Sequence, residues 1–232
     1  MRLFEEYHGI ILTDGYAAYD GVAAALKLVH AGCMAHARRK FDEAKKAQPD
    51  SATHARAALE FIARLSAIEK LLWDPDHPVT PEQRVTVRQE RSAPIMAAFH
   101  AWLEALAPQV LPQGKLGKAV HYTLGQWRKL CVFLTQGEVP MHNNRCENAI
   151  RPFVVGRKGW LFSDTVKGAV ASANLYSLVE TCKANHLEPH AYLTLLFGQL
   201  PYLRTVEDYE TLLPWNAKTA LPAAAHRGGY GK

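Results

Sequence analysis

The ten residues Asn143-Asn144-Arg145-Cys146-Glu147-Asn148-Ala149-Ile150-Arg151-Pro152 carry the densest chemistry in the chain. Continued to Gly156-Arg157-Lys158-Gly159-Trp160, the stretch holds one carboxylate, three amides and four cations. So many polar groups do not suit a core element. On a helix, Glu147, Ile150 and Arg151 stand at i, i+3 and i+4 and share one side. A carboxylate flanked by Arg and Lys can hold a metal ion while tolerating a phosphate backbone. It can equally be the solvated, salt-bridged start of a helix.

A second carboxylate stands far upstream. Ile10-Ile11-Leu12-Thr13 is a short apolar run that suits a buried strand, and it ends at the turn signal Asp14-Gly15-Tyr16. An Asp at the C-terminal end of a buried strand can reach an open face while its backbone stays in the sheet; it can also be an ordinary Asp-Gly turn residue. Further on, Cys33-Met34-Ala35-His36-Ala37-Arg38-Arg39-Lys40-Phe41 opens a helix with a basic face. Arg38, Arg39 and Lys40 suit phosphates, or form a solvated face. Asp14 and Glu147 are 147 − 14 = 133 positions apart. Two acids brought together at a sheet edge suit a divalent cation with oxygen ligands, and with basic surroundings a phosphodiester substrate.

The elements that must position these groups follow from pattern. Residues Arg2 to His8 read as the last turns of a helix stopped by Gly9. Gly21 to Ala25 reads as a short helix and Leu26 to His30 as a second strand. From Asp42 to about Pro140 helical spacing dominates. Leu59, Ile62, Leu65, Ile68, Leu71 and Leu72 form one stripe. Thr80-Pro81 starts a second helix to about Arg91. Pro94 to Leu106 forms a third, with Ile95, Phe99, Trp102, Leu103 and Leu106 inward, and Lys118 to Leu134 a fourth. The Met, Trp and Phe residues of this block read as core. Trp160-Leu161-Phe162 reads as a short strand or extended segment. Val166 to Ala184 reads as a small-residue helix suited to close packing on a sheet, Pro189 to Leu196 as another helix, and the end of the chain as a frayed tail.

Composition narrows the class. With 232 residues, 48% of them hydrophobic, the chain can bury a core, and a net charge of +5 with a pI of 9.0 leans toward a polyanionic partner. No apolar run is long enough to span a bilayer. The first residues show no apolar segment of the kind a signal peptide needs. Cys33, Cys131, Cys146 and Cys182 are scattered, without the spacing of a disulfide framework, so a reducing cytoplasm is expected.

Five blocks then resemble the insertion sequence 66 family of transposases. They are Leu12-Thr13-Asp14-Gly15-Tyr16-Ala17-Ala18-Tyr19, Cys33 to Phe41, Asn143 to Pro152, Gly156 to Ser163 and Leu212-Leu213-Pro214-Trp215-Asn216. The resemblance implies an α/β, mostly helical chain: a partial RNase H-like fold lacking its first strands and interrupted by an all-α insertion. On that reading 1–41 is an RNase H-like segment, 42–140 the insertion, 141–200 the returning RNase H-like helices and 201–232 an extension and tail. It implies a DDE enzyme that nicks transposon ends and joins them to target DNA with Mg2+ or Mn2+. Asp14 matches the second acid and Glu147 the third. Cys33 and His36 match a Cys-x-x-His element near the active site. Asn143, Asn144 and Arg151 become candidates for positioning DNA or the Glu147 carboxylate. Arg38, Arg39, Lys40, Arg145, Arg157 and Lys158 become candidate DNA contacts. The first acid of the family lies upstream of the helix ending near Gly9, and neither Glu5 nor Glu6 is placed to replace it. The expectation is a C-terminal fragment, inactive alone, with an exposed sheet edge. The alternative is a non-catalytic DNA-binding or assembly remnant. DNA is the expected partner, with a possible homo-oligomer or association with full-length transposase, in the cytoplasm on the nucleoid. Cys33-x-x-His36 and His142-x-x-x-Cys146 have zinc-like spacing, but structural zinc needs a tight loop scaffold and is not expected here.

Overall fold

β1 (Ile10–Thr13) forms where the apolar run predicts it, with Ile11 and Thr13 buried. The computed structural model describes residues 6–49, 52–161 and 163–221. The expected N-terminal helix lies largely outside them; Glu6 is in a turn and Tyr7 and His8 are not helical, so the part that is described does not form the expected helix end. After β1 the chain runs through α1 (Ala18–Ala25) to β2 (Val29–Gly32), which pairs parallel to β1 in register Ile10↔Val29 to Thr13↔Gly32. β2 starts later than pattern suggests. Leu26 and Lys27 are the turn that closes α1, and Lys27 takes φ 54° to do so. Parallel strands need such a crossover, and Ile11, Ala23 and Leu28 pack under it.

Two units divide the chain, Met1–Cys146 and Glu147–Lys232. In the first, α2 (Met34–Ala47) follows β2 directly and carries Met34, Ala37 and Phe41 into the core. The helical block is α3 (Thr53–Leu72), α4 (Pro81–Val87), α5 (Ala93–Leu106), α6 (Lys115–Gly125) and α7 (Trp127–Leu130). Ile62, Leu65, Ile68 and Leu72 of α3 meet Ile95, Phe99, Leu103 and Leu106 of α5 in one core with Phe41, Val120 and Leu130. Leu71, expected in the stripe, points outward at 59% exposure, because the stripe drifts past the face that α5 covers.

Two expected helix boundaries are corrected. α4 and α5 are one continuous helix through a π-helical stretch, Arg88–Ser92. The wider turn accommodates Pro94, whose missing N–H falls where the ladder is already re-registered. The expected fourth helix instead breaks at Gln126, giving α6 and α7 and a 3-10 turn over Val132–Leu134. Thr80 caps α4 through a full capping box with Gln83, as its sequence predicts.

α8 (Asn144–Trp160) begins in the first unit and continues into the second. It extends through Trp160, and Leu161 takes φ 60° as its left-handed stop, so the strand expected at Trp160-Leu161 is absent; Phe162 lies outside the described residues. α9 (Val166–Ala184), α10 (Pro189–Gln199) and α11 (Val206–Thr211) complete the second unit. Its core is Cys182, Leu187, Tyr192, Leu196, Leu212, Ala217 and Leu221, with the Tyr192 hydroxyl donating to Leu212 O at 2.9 Å. Ala169 and Ala173 of α9, expected to pack on a sheet, are exposed among the described residues. The expected tail, 222–232, lies outside the described residues. Among those described, no helix is long and apolar enough to cross a membrane.

Candidate functional site

Asp14 is exposed at the end of β1, directly after buried Thr13. Its Oδ1 accepts from the Tyr16 amide at 3.0 Å, and its backbone carbonyl accepts from the Tyr122 hydroxyl at 2.7 Å. Gly15 sits at φ 85°, and a Cβ there would stand 2.9 Å from the Tyr122 hydroxyl, so the Asp14-Gly15 turn requires glycine on both counts. Burial and the nearby Asp14 and Cys33 raise Tyr122 to about 12, which keeps its hydroxyl a donor.

The strand end is held by a relay that pattern reading does not find. Thr13 Oγ1 and His30 Nε2 are 2.7 Å apart, and His30 Nδ1 lies 3.0 Å from Asp20 Oδ1. The Asp20 carboxylate only accepts, so Nδ1 carries the proton and Nε2 accepts from the Thr13 hydroxyl. Lys129 of α7 pairs with the same Asp20 oxygen. Its hydrogen bond holds the Asp20 carboxyl below the usual range, and burial, reinforced by the Lys129 charge, holds His30 below the ordinary imidazole value. No spacing rule joins residues 13, 20, 30 and 129; the crossover geometry does.

β2 delivers Cys33 to the same end of the pair. Its amide donates to Thr13 O at 3.0 Å, and it stands as the N-cap position of α2. The loop leading into α8 is laced to this junction: Met34 N donates to Met141 O at 3.0 Å, and Asn143 N reaches Cys33 Sγ at 3.5 Å. Parallel register places Asp14 and Cys33 at one level beyond Thr13 and Gly32, and the Cys33 contact draws Asn143 to them. His36 is half-buried one turn into α2, and Arg38 and Arg39 are exposed beyond it. Lys40 lies over the Tyr122 ring, Nζ 4.6 Å from its centroid, a packing role as well as a charge. Asn144 and Arg145 are exposed at the start of α8.

The remaining candidates belong to the second unit. Glu147 is half-buried in the first turn of α8, and Arg151, Arg157 and Lys158 are exposed along it. Pro152 lies inside this helix and leaves the Asn148 carbonyl without its helical donor. Phe153, Trp160 and Tyr176 tie α8 to α9, with Phe153 and Tyr176 centroids 5.0 Å apart.

Asp14 offers one donor of the kind a hard cation takes. The Asp14 carboxylate is exposed, with one oxygen in a local turn, and carboxylate oxygens are the ligands magnesium prefers. Among the described residues, no three His, Cys, Asp or Glu side chains converge as a metal group, and the Cys33, His36, His142 and Cys146 spacing forms none. Cys33 is buried and Cys146 exposed.

The model of the transposase IS66 family matches residues 1–171, and that of the IS66 C-terminal element matches residues 177–215. Among curated proteins, the uncharacterized protein y4hP of Sinorhizobium fredii (strain NBRC 101917 / NGR234) is 31% identical over 231 residues, covering 94% of this chain and 41% of its own length. The uncharacterized protein y4jD of the same strain is 33% identical over 224 residues, covering 94% and 43%. The chain thus spans less than half the length of these relatives. No solved structure matches it.

Proposed function

The chain belongs to the IS66 family of transposases, and from that premise we propose that it carries part of a DDE strand-transfer site on an RNase H-like frame. Asp14 and Glu147 are its two metal-binding carboxylates. The observation that carries the reading is the placement of Asp14: exposed, just past a buried parallel strand, with Thr13 behind it pinned to His30 and Asp20. That is the position in an α/β sheet from which a side chain reaches substrate.

The chain's own groups divide the work. Asp14 and Glu147 would hold Mg2+ or Mn2+, which when bound activates the attacking hydroxyl and stabilises the leaving oxygen of the phosphodiester. The Thr13–His30–Asp20 relay and the Tyr122 hydroxyl keep the Asp14 backbone from shifting. Asn143 and Asn144 orient the carboxylate or the DNA. Arg38, Arg39, Arg145, Arg151, Arg157 and Lys158 take phosphates, and Lys40 adds charge beside the turn. DNA, as transposon end and target, is the partner, with assembly into multimers of the chain or with longer family members.

Manganese titration followed by loss of the free-ion electron paramagnetic resonance signal tests the assignment. Asp14→Asn and Glu147→Gln should each weaken binding about tenfold or more, since affinity for a hard cation follows the number of charged ligands. Unchanged binding in Asp14→Asn would remove Asp14 from the site. Because the chain is read as part of a site and inactive alone, joining of a labelled transposon-end duplex to target DNA is followed in a longer family member carrying the matching substitutions, and its loss in both variants supports the enzyme reading. Joining that survives both substitutions, with DNA still bound by the chain, supports the alternative, a DNA-binding or assembly role.

A further inference from the structure

Beside the Asp14 turn that Tyr122 of the helical block holds, two adjoining clefts run along α3, lined by α2, α3 and the loop leading into α8. The first, of about 420 Å3, has an apolar floor of Met34, Ile62 and Met141 and a rim that includes Arg38, Arg39 and His142. The second, of about 360 Å3, runs from the shared Ser66, Met141 and His142 to Lys70 and Trp73. Along α3, Ile62, Ser66 and Lys70 fall at i, i+4 and i+8 and Trp73 is the C-cap residue, so the lining follows one side of the helix to its end, about 16 Å. His142 stands between the clefts, and its buried Nδ1 has no hydrogen-bond partner among the described residues.

The acids in the clefts are neutralised by other groups. Asp42 is paired with Lys46 at 2.7 Å, and Glu69 with Arg88 at 2.6 Å. The linings also carry the cations Arg38 and Arg39, on the first cleft, and Lys70, on the second. At the far end Trp73 is held rigid. Its indole N–H donates to Glu69 Oε2 at 3.1 Å, and the Arg84 guanidinium lies 3.8 Å from its ring centroid. Arg84 is itself fixed to Leu72 O and Gly137 O, both at 3.1 Å. Even so, Trp73 is 40% exposed. A fixed, cation-backed indole beside cationic side chains is what stacked bases use, and the interior of a duplex presents no base face to it.

We propose that these clefts form a track for single-stranded DNA, with Trp73 as the stacking platform, Arg38, Arg39 and Lys70 as phosphate contacts and His142 as a base-edge or phosphate partner. The proposal rests on the DNA-transposition reading. It gives α3 and Trp73 a role in holding DNA: a strand left unpaired at a transposon end or at a staggered joint.

The test compares fluorescence anisotropy of a labelled blunt duplex with that of the same duplex carrying a short single-stranded extension. The intact chain should bind the extended DNA about tenfold more tightly, as one or two stacked bases would give. Trp73→Leu should abolish most of that preference while leaving blunt-duplex affinity unchanged. Trp73→Phe, which keeps a ring and its packing, should retain most of it. Lys70→Gln, at an exposed position that does not endanger folding, should reduce it about threefold. Equal binding of blunt and extended DNA overturns the track but not the transposase reading, as does equal loss in Trp73→Leu and Trp73→Phe. Failure to bind either DNA overturns both.

Discussion

At the scale of single residues, the structure separates groups that share a type. Asp14 and Asp20 are both carboxylates on or near one strand pair. Asp14 is left open to solvent, whereas Asp20 is committed to His30 and Lys129. The relay also has a pH signature. His30 is held below its ordinary value by burial, so the unfolded chain takes up a proton that the folded chain refuses. Its contribution to stability is present above the unfolded value of about 6.5 and is lost as pH falls below it. The Tm of the intact chain should therefore drop between roughly pH 7 and pH 5, and His30→Gln should flatten that drop. Thermal melts across the range check this; an unchanged slope in the variant would remove His30 as its source.

At the scale of elements, one buried ion pair holds the helical block to the loop that leads into α8. Arg88, fully buried in the π-helical stretch, donates to Glu69 of α3 through Nε at 2.8 Å and Nη2 at 2.6 Å. Its Nη1 donates to Phe133 O at 2.8 Å and Gln136 O at 3.0 Å. The π turn is what places one Arg within reach of both. Removing one partner strands a buried charge, so Arg88→Met should cost about 3–5 kcal/mol in urea unfolding. The double variant Arg88→Met/Glu69→Leu should recover a large part of that loss, because no charge is then left unpaired. If single and double variants are equally unstable, packing and not charge accounts for the cost.

At the scale of the molecule, a net charge of +5 and exposed Arg38, Arg39, Arg145, Arg151, Arg157 and Lys158 predict DNA binding that weakens steeply with salt. Replacing Arg38 and Arg39 together with Gln should lower the log–log salt slope by roughly 2, about 1 for each phosphate that is no longer neutralised. A slope unchanged in the double variant would place DNA elsewhere. The two units are each built around their own core, the first around Phe99 and its neighbours and the second around Tyr192.

Local sequence determined more of this protein than its composition suggests. β1, the capping box of α4, the inward faces of α3 and α5, and α9 in full were legible, because apolar spacing and cap chemistry act within a few residues. The family blocks were legible for the same reason, since Asp14-Gly15 and the Asn143–Pro152 run are contiguous. Boundary errors arose where backbone geometry departs from what the residue types suggest. Pro94 reads as a break, but the π turn absorbs it; Leu161 reads as extended, but a left-handed residue ends α8 there. The Thr13–His30–Asp20–Lys129 relay, the Tyr122 hydroxyl on Asp14 and the Trp73 groove were decided by tertiary structure alone. Each joins side chains from separate elements. Hydrogen bonds and ring contacts depend on angstrom-scale placement, and only packing of whole elements sets that placement.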